Sequence, residues 1–238
     1  MELINKKEEK ITFKAEIEET LANAVRRYLN RVPVLAVEEI EISKNDSPLY
    51  DETIAHRIGL IPLKTAKTVT EKSTNELKLA VKKEGIVSSE ELKGTVKPVY
   101  EKLPITILKK GQELELVAKI KAGRGSEHSK FSPGLMFYRN SSEITMEKEF
   151  YNEIKNIFPE IEIKEKGDKI IIFDDQEKNV CDVCEGIGEK ASKKAETKIG
   201  KELVITLESF GQMNSEDILK KSVEELKKDL NEVSKKIK

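Results

Sequence analysis

Apolar and polar residues alternate first at Ile11, Phe13, Ala15 and Ile17, with Thr12, Lys14 and Glu16 between them. That period of two predicts a strand with one wet face. From Glu18 to Arg31 the period changes: Leu21, Val25 and Tyr28 fall at four- and three-residue steps, and Ala22 and Leu29 widen the stripe. This is the pattern of a helix lying on a sheet. Val32-Pro33 ends it, because the residue before a proline is pushed out of the helical region. A second strand is predicted from about Leu35 to Ser43, then an Asn-Asp-Ser-Pro turn at 45–48 and a short helix near Tyr50 to Ile58.

The stretch from Thr65 to Ser73 turns polar and reads as a loop at the edge of an inserted domain. Leu77, Leu79 and Val81 make a short strand. Ile105 and Ile107 lead into a Lys-Lys-Gly-Gln turn, and Leu114, Leu116, Ala118 and Ile120 line one face of the returning strand. Residues 122–134 read as a loop. Phe150, Ile154 and Ile157 mark a helix ending before Pro159, and Ile161/Ile163 with Ile170–Phe173 flank a Lys-Gly-Asp turn as a hairpin. Residues 174–198 are poor in bulky apolar groups and are expected to be the least ordered part, with a short helix after Gly188.

The end of the chain has the plainest periodicity. Leu203, Ile205 and Leu207 alternate in a strand, and Gly211 breaks it. Asn214 or Ser215 can cap the next helix, whose positive end is favoured by Glu216 and Asp217. Leu219, Val223, Leu226, Leu230, Val233 and Ile237 then repeat at 4-3-4-3-4, with Ile218 beside the first. Such spacing keeps one narrow seam facing a partner over roughly 30 Å. Each of these six side chains gains roughly 1.5–3 kcal/mol on burial, so a wet seam is costly. The seam is covered either by the chain's own small sheet, one face of which the first helix already covers in large part, or by a second chain, identical or different; pairing is the preferred reading.

Composition narrows the function classes. Hydrophobic and charged residues each make up 37% of the 238 residues, enough for a core but not for a large apolar surface. The 43 Lys+Arg and 44 Asp+Glu balance to −1, which leaves no positive excess to drive nucleic-acid or acidic-membrane binding by counterion release. No run approaches the length of a membrane span and the first ten residues hold no signal-peptide core, so a cytoplasmic location is expected.

Candidate chemistry is thin. Gly123-Arg124-Gly125-Ser126 lacks the strand, lysine and helix of a phosphate loop. His56 beside Arg57 reads as a structural or interface histidine, and His128 as a hydrogen-bonding loop residue; neither has a neighbouring nucleophile and acid. Cys181-Asp182-Val183-Cys184 is the single metal-like pattern, half of a tetrahedral zinc site and too few sulfurs for an iron–sulfur cluster. No cofactor is expected. Arg26 and Arg27 point about 100° apart on one helical turn, so one flanks the apolar stripe while the other reaches outward with a fork suited to carboxylates.

One long motif is more specific. The run from Asn45 to Leu63 (NDSPLYDETIAHRIGLIPL) closely resembles the signature of the D subunits of archaeal DNA-directed RNA polymerases, a family of alpha-like chains related to the bacterial alpha N-terminal domain. Asn23-Ala24-Val25-Arg26-Arg27 is similar to that family's first-helix motif. His128–Pro133 resembles the loop closing its inserted domain, and Glu208–Gln212 the approach to its last helix.

The resemblance implies an α+β fold. A discontinuous dimerisation domain would comprise 1–47 and 199–238, an inserted, mainly β domain 48–144, and a small reduced ferredoxin-like domain 145–198. The last binds an iron–sulfur cluster in many members, but here only Cys181 and Cys184 remain. It further implies pairing with the polymerase's L subunit, through Leu21, Val25, Tyr28, Leu219, Val223, Leu226, Leu230 and Val233. Docking of the large catalytic subunits, with small adaptor subunits, would involve Arg26, Arg27, Asp51, Glu52, His56 and Arg57. On this reading the chain holds no catalytic residue, meets DNA only through the whole polymerase and touches no membrane. The alternative is a free-standing homodimeric scaffold.

Overall fold

The computed structural model describes residues 1–66, 69 and 74–237, so most of the polar stretch read as a loop after Thr65 lies outside the described residues. In chain order come β1 (Glu2–Lys6), β2 (Lys10–Ala15), α1 (Glu19–Tyr28), a 3-10 turn (Leu29–Arg31), β3 (Val34–Asn45) and α2 (Asp51–Gly59). Next are β4 (Thr74–Val81), β5 (Gly85–Ser88), β6 (Lys93–Gly94), β7 (Pro104–Leu108), β8 (Leu114–Gly123) and β9 (Gly134–Glu147). The chain continues with α3 (Tyr151–Ile157), β10 (Ile163–Lys166), β11 (Lys169–Asp174), α4 (Cys181–Lys190), β12 (Glu196–Ser209) and α5 (Ser215–Ile237). Two compact units result, one of Met1–Ala22 with Met136–Leu207, the other of Asn23–Leu135 with Glu208–Lys238.

The first unit carries a six-stranded sheet in the order β1-β2-β12-β9-β11-β10. Ile11, Phe13 and Ala15 of β2 are buried as their alternation requires, but Thr12 on the opposite face is buried too. Its hydroxyl is satisfied by that of Thr206, 3.2 Å away. The expected wet face is therefore covered at this point, and only a polar group with a partner is tolerated there. Lys14, the next residue on that face, is held by Asp175 (2.9 Å), Glu2 (3.2 Å) and Glu202 (3.7 Å). The hydrogen bond to Asp175 is the main reason its ammonium stays charged well above the ordinary lysine range.

Residues 144–195 build a local core from Ile144, Met146, Phe150, Ile154, Ile170, Ile172 and Cys184, with β10 and β11 forming the expected hairpin. The expectation of a poorly ordered 174–198 segment does not hold: α4 begins at Cys181, ahead of the predicted position, and runs through Gly188 to Lys190 rather than starting after it. The cause is Asp174. Its buried carboxylate accepts the backbone N–H groups of Val180 (3.0 Å) and Cys181 (2.9 Å), capping α4 from outside the helix. Arg139 completes the arrangement, donating to Asp174 Oδ1 at 2.6 Å and to the carbonyls of Gln176 (2.7 Å) and Lys178 (3.1 Å).

The second unit has a four-stranded sheet, β3-β8-β4-β6, and a separate β5–β7 ribbon. The alternating Leu114, Leu116, Ala118, Ile120 and Ala122 of β8 face the core, where Ile54 and Ile58 of α2 are fully buried. The predicted return of β7 into β8 is corrected here. β8 pairs with β3 on one edge and β4 on the other, while β7 pairs with β5. A long, two-sided ladder for β8 outweighs the short hairpin that the Lys-Lys-Gly-Gln turn alone favours.

Candidate protein–protein interface

Four segments far apart in sequence converge in the second unit. After α1 the 3-10 turn Leu29–Arg31 stops at Val32, as Pro33 dictates, and leaves the Asn30 side chain placed to accept from Ser132 Oγ at 3.0 Å. Ser126 N–H donates to the Asn30 carbonyl at 3.1 Å. Phe210 N–H donates to the Pro133 carbonyl at 3.0 Å, and a Cβ at Gly134 would collide with the Glu208 carbonyl. Thr65 N–H reaches the Gln212 carbonyl at 2.8 Å, while Leu35 N–H donates to Thr65 Oγ1 at 3.1 Å. Lys130 Nζ is fixed by Glu38 (2.7 Å) and the Val37 carbonyl (3.0 Å), and its ammonium pulls the Glu38 carboxyl below the usual range.

This junction launches α5. Ser209 Oγ donates to the Met213 carbonyl (2.5 Å) and accepts from Gly211 N–H (2.9 Å), and Gly211 takes φ +86°, a turn that a side chain would resist. Ser215, Ile218, Ser222 and Leu226 form the stripe of α5 buried against its own unit. It packs on the 3-10 turn, and the small, fully buried Ser222, bonded back to the Leu219 carbonyl at 2.8 Å, permits the close approach. Two polar ties reinforce it. Tyr28 OH donates to Asp229 Oδ2 at 2.9 Å, and Arg124 pairs with Glu225 at 3.5 Å. The Asp229 bond is also the main cause of the raised Tyr28 phenol pKa, since the neutral phenol is the donor.

Placed on this geometry, the expected partner residues divide. Val25 and Leu226 are buried within the chain, and Tyr28, Leu219 and Val223 are half-buried. Leu21, Leu230 and Val233 are exposed, as is Ile237 at 81%. Ile218, Ser222, Arg124 and Asp229 were not foreseen as anchors. Ile218 stood beside the seam in the sequence, but nothing local pointed to the serine, to Arg124, which pairs with Glu225, or to Asp229, which accepts from Tyr28.

The six polar candidates do not form one cluster. Arg26 and Arg27 are exposed, and Arg26 folds back on Asn23 Oδ1 at 2.9 and 3.2 Å. Asp51 and Glu52 sit in the first turn of α2, and His56 and Arg57 in the last, each sign at the helix end that favours it. Asp51 accepts from Asn45 Nδ2 at 2.7 Å, and Arg57 donates to the Ile105 carbonyl at 2.9 Å. Next to α2, Leu60, Pro62, Tyr100 and Phe210, together with Ser129, Lys130, Ser132 and Gln212, line a shallow groove of about 310 Å³.

The thiols do not suit an iron–sulfur cluster. They stand one turn apart on α4, Cys184 is fully buried, and the chain offers no third cysteine. Burial pushes the Cys184 thiol up to about 12 and raises Cys181 as well, opposite to what a ligating thiolate needs. Among the described residues no group of three or more His, Cys, Asp or Glu could hold a metal ion, and no helix is long and apolar enough to cross a membrane.

A mixed α/β fold with an inserted β-sheet domain frames the class of protein. Residues 40–136 match the family described as the RNA polymerase Rpb3/RpoA insert domain, which makes this an alpha-like chain. It is similar to the curated protein DNA-directed RNA polymerase subunit Rpo3 from Pyrococcus horikoshii, with 41% identity over 62% of each chain. The proteins of that name from Methanosphaera stadtmanae (30% identity over 80% of each chain) and Methanocaldococcus jannaschii (32% over 68% of this chain and 85% of the relative) are similar over more of their length. The chain belongs to the archaeal RNA polymerase subunit Rpo3 family. It spans less than two thirds, 62%, of the length of the Pyrococcus horikoshii relative it matches.

Proposed function

We propose that this chain is a non-catalytic assembly subunit of a DNA-dependent RNA polymerase, pairing with the L subunit to form the platform on which the large catalytic subunits and small adaptors gather in the cytoplasm. The observation that carries the reading is α5: its buried stripe ends at Leu226, and Leu230, Val233 and Ile237 continue the apolar seam at 59%, 53% and 81% exposure. Apolar groups spaced to face one neighbour, on a helix already fixed to its own unit, suit a second chain's helix. Dimerisation is assigned to residues 1–47 and 199–238, with 48–144 as the inserted domain and 145–198 as the small ferredoxin-like domain. Arg26, Arg27, Asp51, Glu52 and Arg57 carry charges suited to holding the large subunits, with His56 beside them, and the mixed apolar and polar groove next to α2 supports contact there.

Polymerisation chemistry then belongs to other subunits, and this chain acts by holding them in register. The test is co-expression with the same organism's L subunit followed by mass measurement. A 1:1 pair that the double variant L230D/V233D fails to form is expected. A stable homodimer of the isolated chain would instead favour a free-standing scaffold.

A further inference from the structure

The groove beside α2 is lined by a polar side chain with an unanswered atom. Gln212 is only 4% exposed, and its Oε1 has no hydrogen-bond partner among the described residues. A buried acceptor left unpaired is destabilising, so a native chain that keeps one calls for a donor from elsewhere. The backbone around it is fixed. The Gln212 carbonyl accepts from Thr65 N–H at 2.8 Å, Phe210 N–H donates to the Pro133 carbonyl at 3.0 Å, and Val99 N–H donates to the Pro62 carbonyl at 2.9 Å. Leu60, Tyr100 and Phe210 line the same groove with Pro62, yet stay 51%, 46% and 43% exposed. Lys130, on the polar side, is already engaged by Glu38 and the Val37 carbonyl.

The groove therefore offers apolar walls and one acceptor rather than a charge. At about 310 Å³ it lies at the lower end of ligand-pocket volumes, about 300–1,000 Å³, which is room for one ring system and not for a helix. An indole matches it: a flat apolar body, a single N–H donor, and no acceptor that would need a partner of its own. We propose that the groove seats a tryptophan side chain of a neighbouring chain, its ring against Leu60, Pro62, Tyr100 and Phe210 and its N–H donated to Gln212 Oε1. The last torsion of a glutamine is soft, so the amide turns its oxygen toward the groove as the ring enters. The 238 residues hold no tryptophan, so a second copy of them cannot be the occupant. That the neighbour is another polymerase chain rests on the assembly reading; the chemistry of the groove does not.

The test titrates the full chain into N-acetyl-tryptophanamide and into its N-methylindole counterpart, which keeps the ring and lacks the donor. Because the chain has no tryptophan, indole emission reports on the probe alone. A blue shift on binding is expected, with the methylated probe held about fivefold more weakly for want of one hydrogen bond. In Gln212→Leu the two probes should bind alike, and Leu60→Ala, at an exposed position, should weaken both. No shift with either probe, equal affinities in the unaltered chain, a gap that survives Gln212→Leu, or indifference to Leu60→Ala overturns the proposal. The first two outcomes are read without any substitution, so a variant that fails to fold does not blunt the test. Pairing with the L subunit is measured separately. Failure of that pair to form ends the assembly reading and leaves the probe result standing, whereas failure of the probes leaves the pair standing.

Discussion

Single side chains show how much of this chain's polarity is internal structure rather than chemistry. The bond between Tyr28 and Asp229 joins groups 201 residues apart and contributes about 1 kcal/mol, the usual net worth of such a contact. Tyr28→Phe and Asp229→Ala should each lower stability by that amount in urea unfolding, and the double variant by less than the sum, because the same bond is lost only once. Cys184 supplies a pH signature. An unfolded thiol ionises near 9, whereas this one keeps its proton to about 12, so its contribution is full below pH 9 and is lost as pH rises between those values. Stability measured from pH 8 to 11 should fall, and fall less in Cys184→Ala.

At the scale of elements, α5 offers the sharpest contrast. Leu226→Ala removes a side chain only 9% exposed and should cost about 2–4 kcal/mol in the isolated chain, while Leu230→Ala should change its thermal midpoint hardly at all. The same Leu230→Ala should weaken pairing with the L subunit. Element α4 gives the complementary case: Asp174→Ala leaves two helix N–H groups and the Arg139 guanidinium without their carboxylate. A loss of about 3 kcal/mol is expected, visible as hydrogen exchange of α4 faster than that of β12. The elements legible from sequence were those whose period is carried by large apolar side chains: β2, α1, the β10–β11 hairpin and α5 itself. Less legible were β1, whose few apolar residues barely alternate, and β9, half of whose residues are polar or charged. The position of α4 depended on an acceptor seven residues upstream of Cys181, beyond the reach of local capping rules.

Across the whole molecule, the long signature at 45–63 placed the chain in its family, while the periodicity of the last helix placed the open seam without help from any relative. What neither could supply is the face on which α5 meets its own unit, since that depends on Ser222 fitting beside the 3-10 turn and on ties to Tyr28 and Arg124 made across more than a hundred residues. If assembly is the function, the double variant Cys181→Ser/Cys184→Ala should still pair with the L subunit in the same ratio. Replacing the exposed end of the α5 seam, Leu230, Val233 and Ile237, should abolish pairing while leaving the unfolding profile of the isolated chain unchanged.

The clamp of Arg139 on Asp174 ties the start of α4 to β9 and β11 through side chains of the polypeptide alone. Refolding in chelator, or in air, should therefore return the same state at the same rate, with α4 recovered in full by circular dichroism.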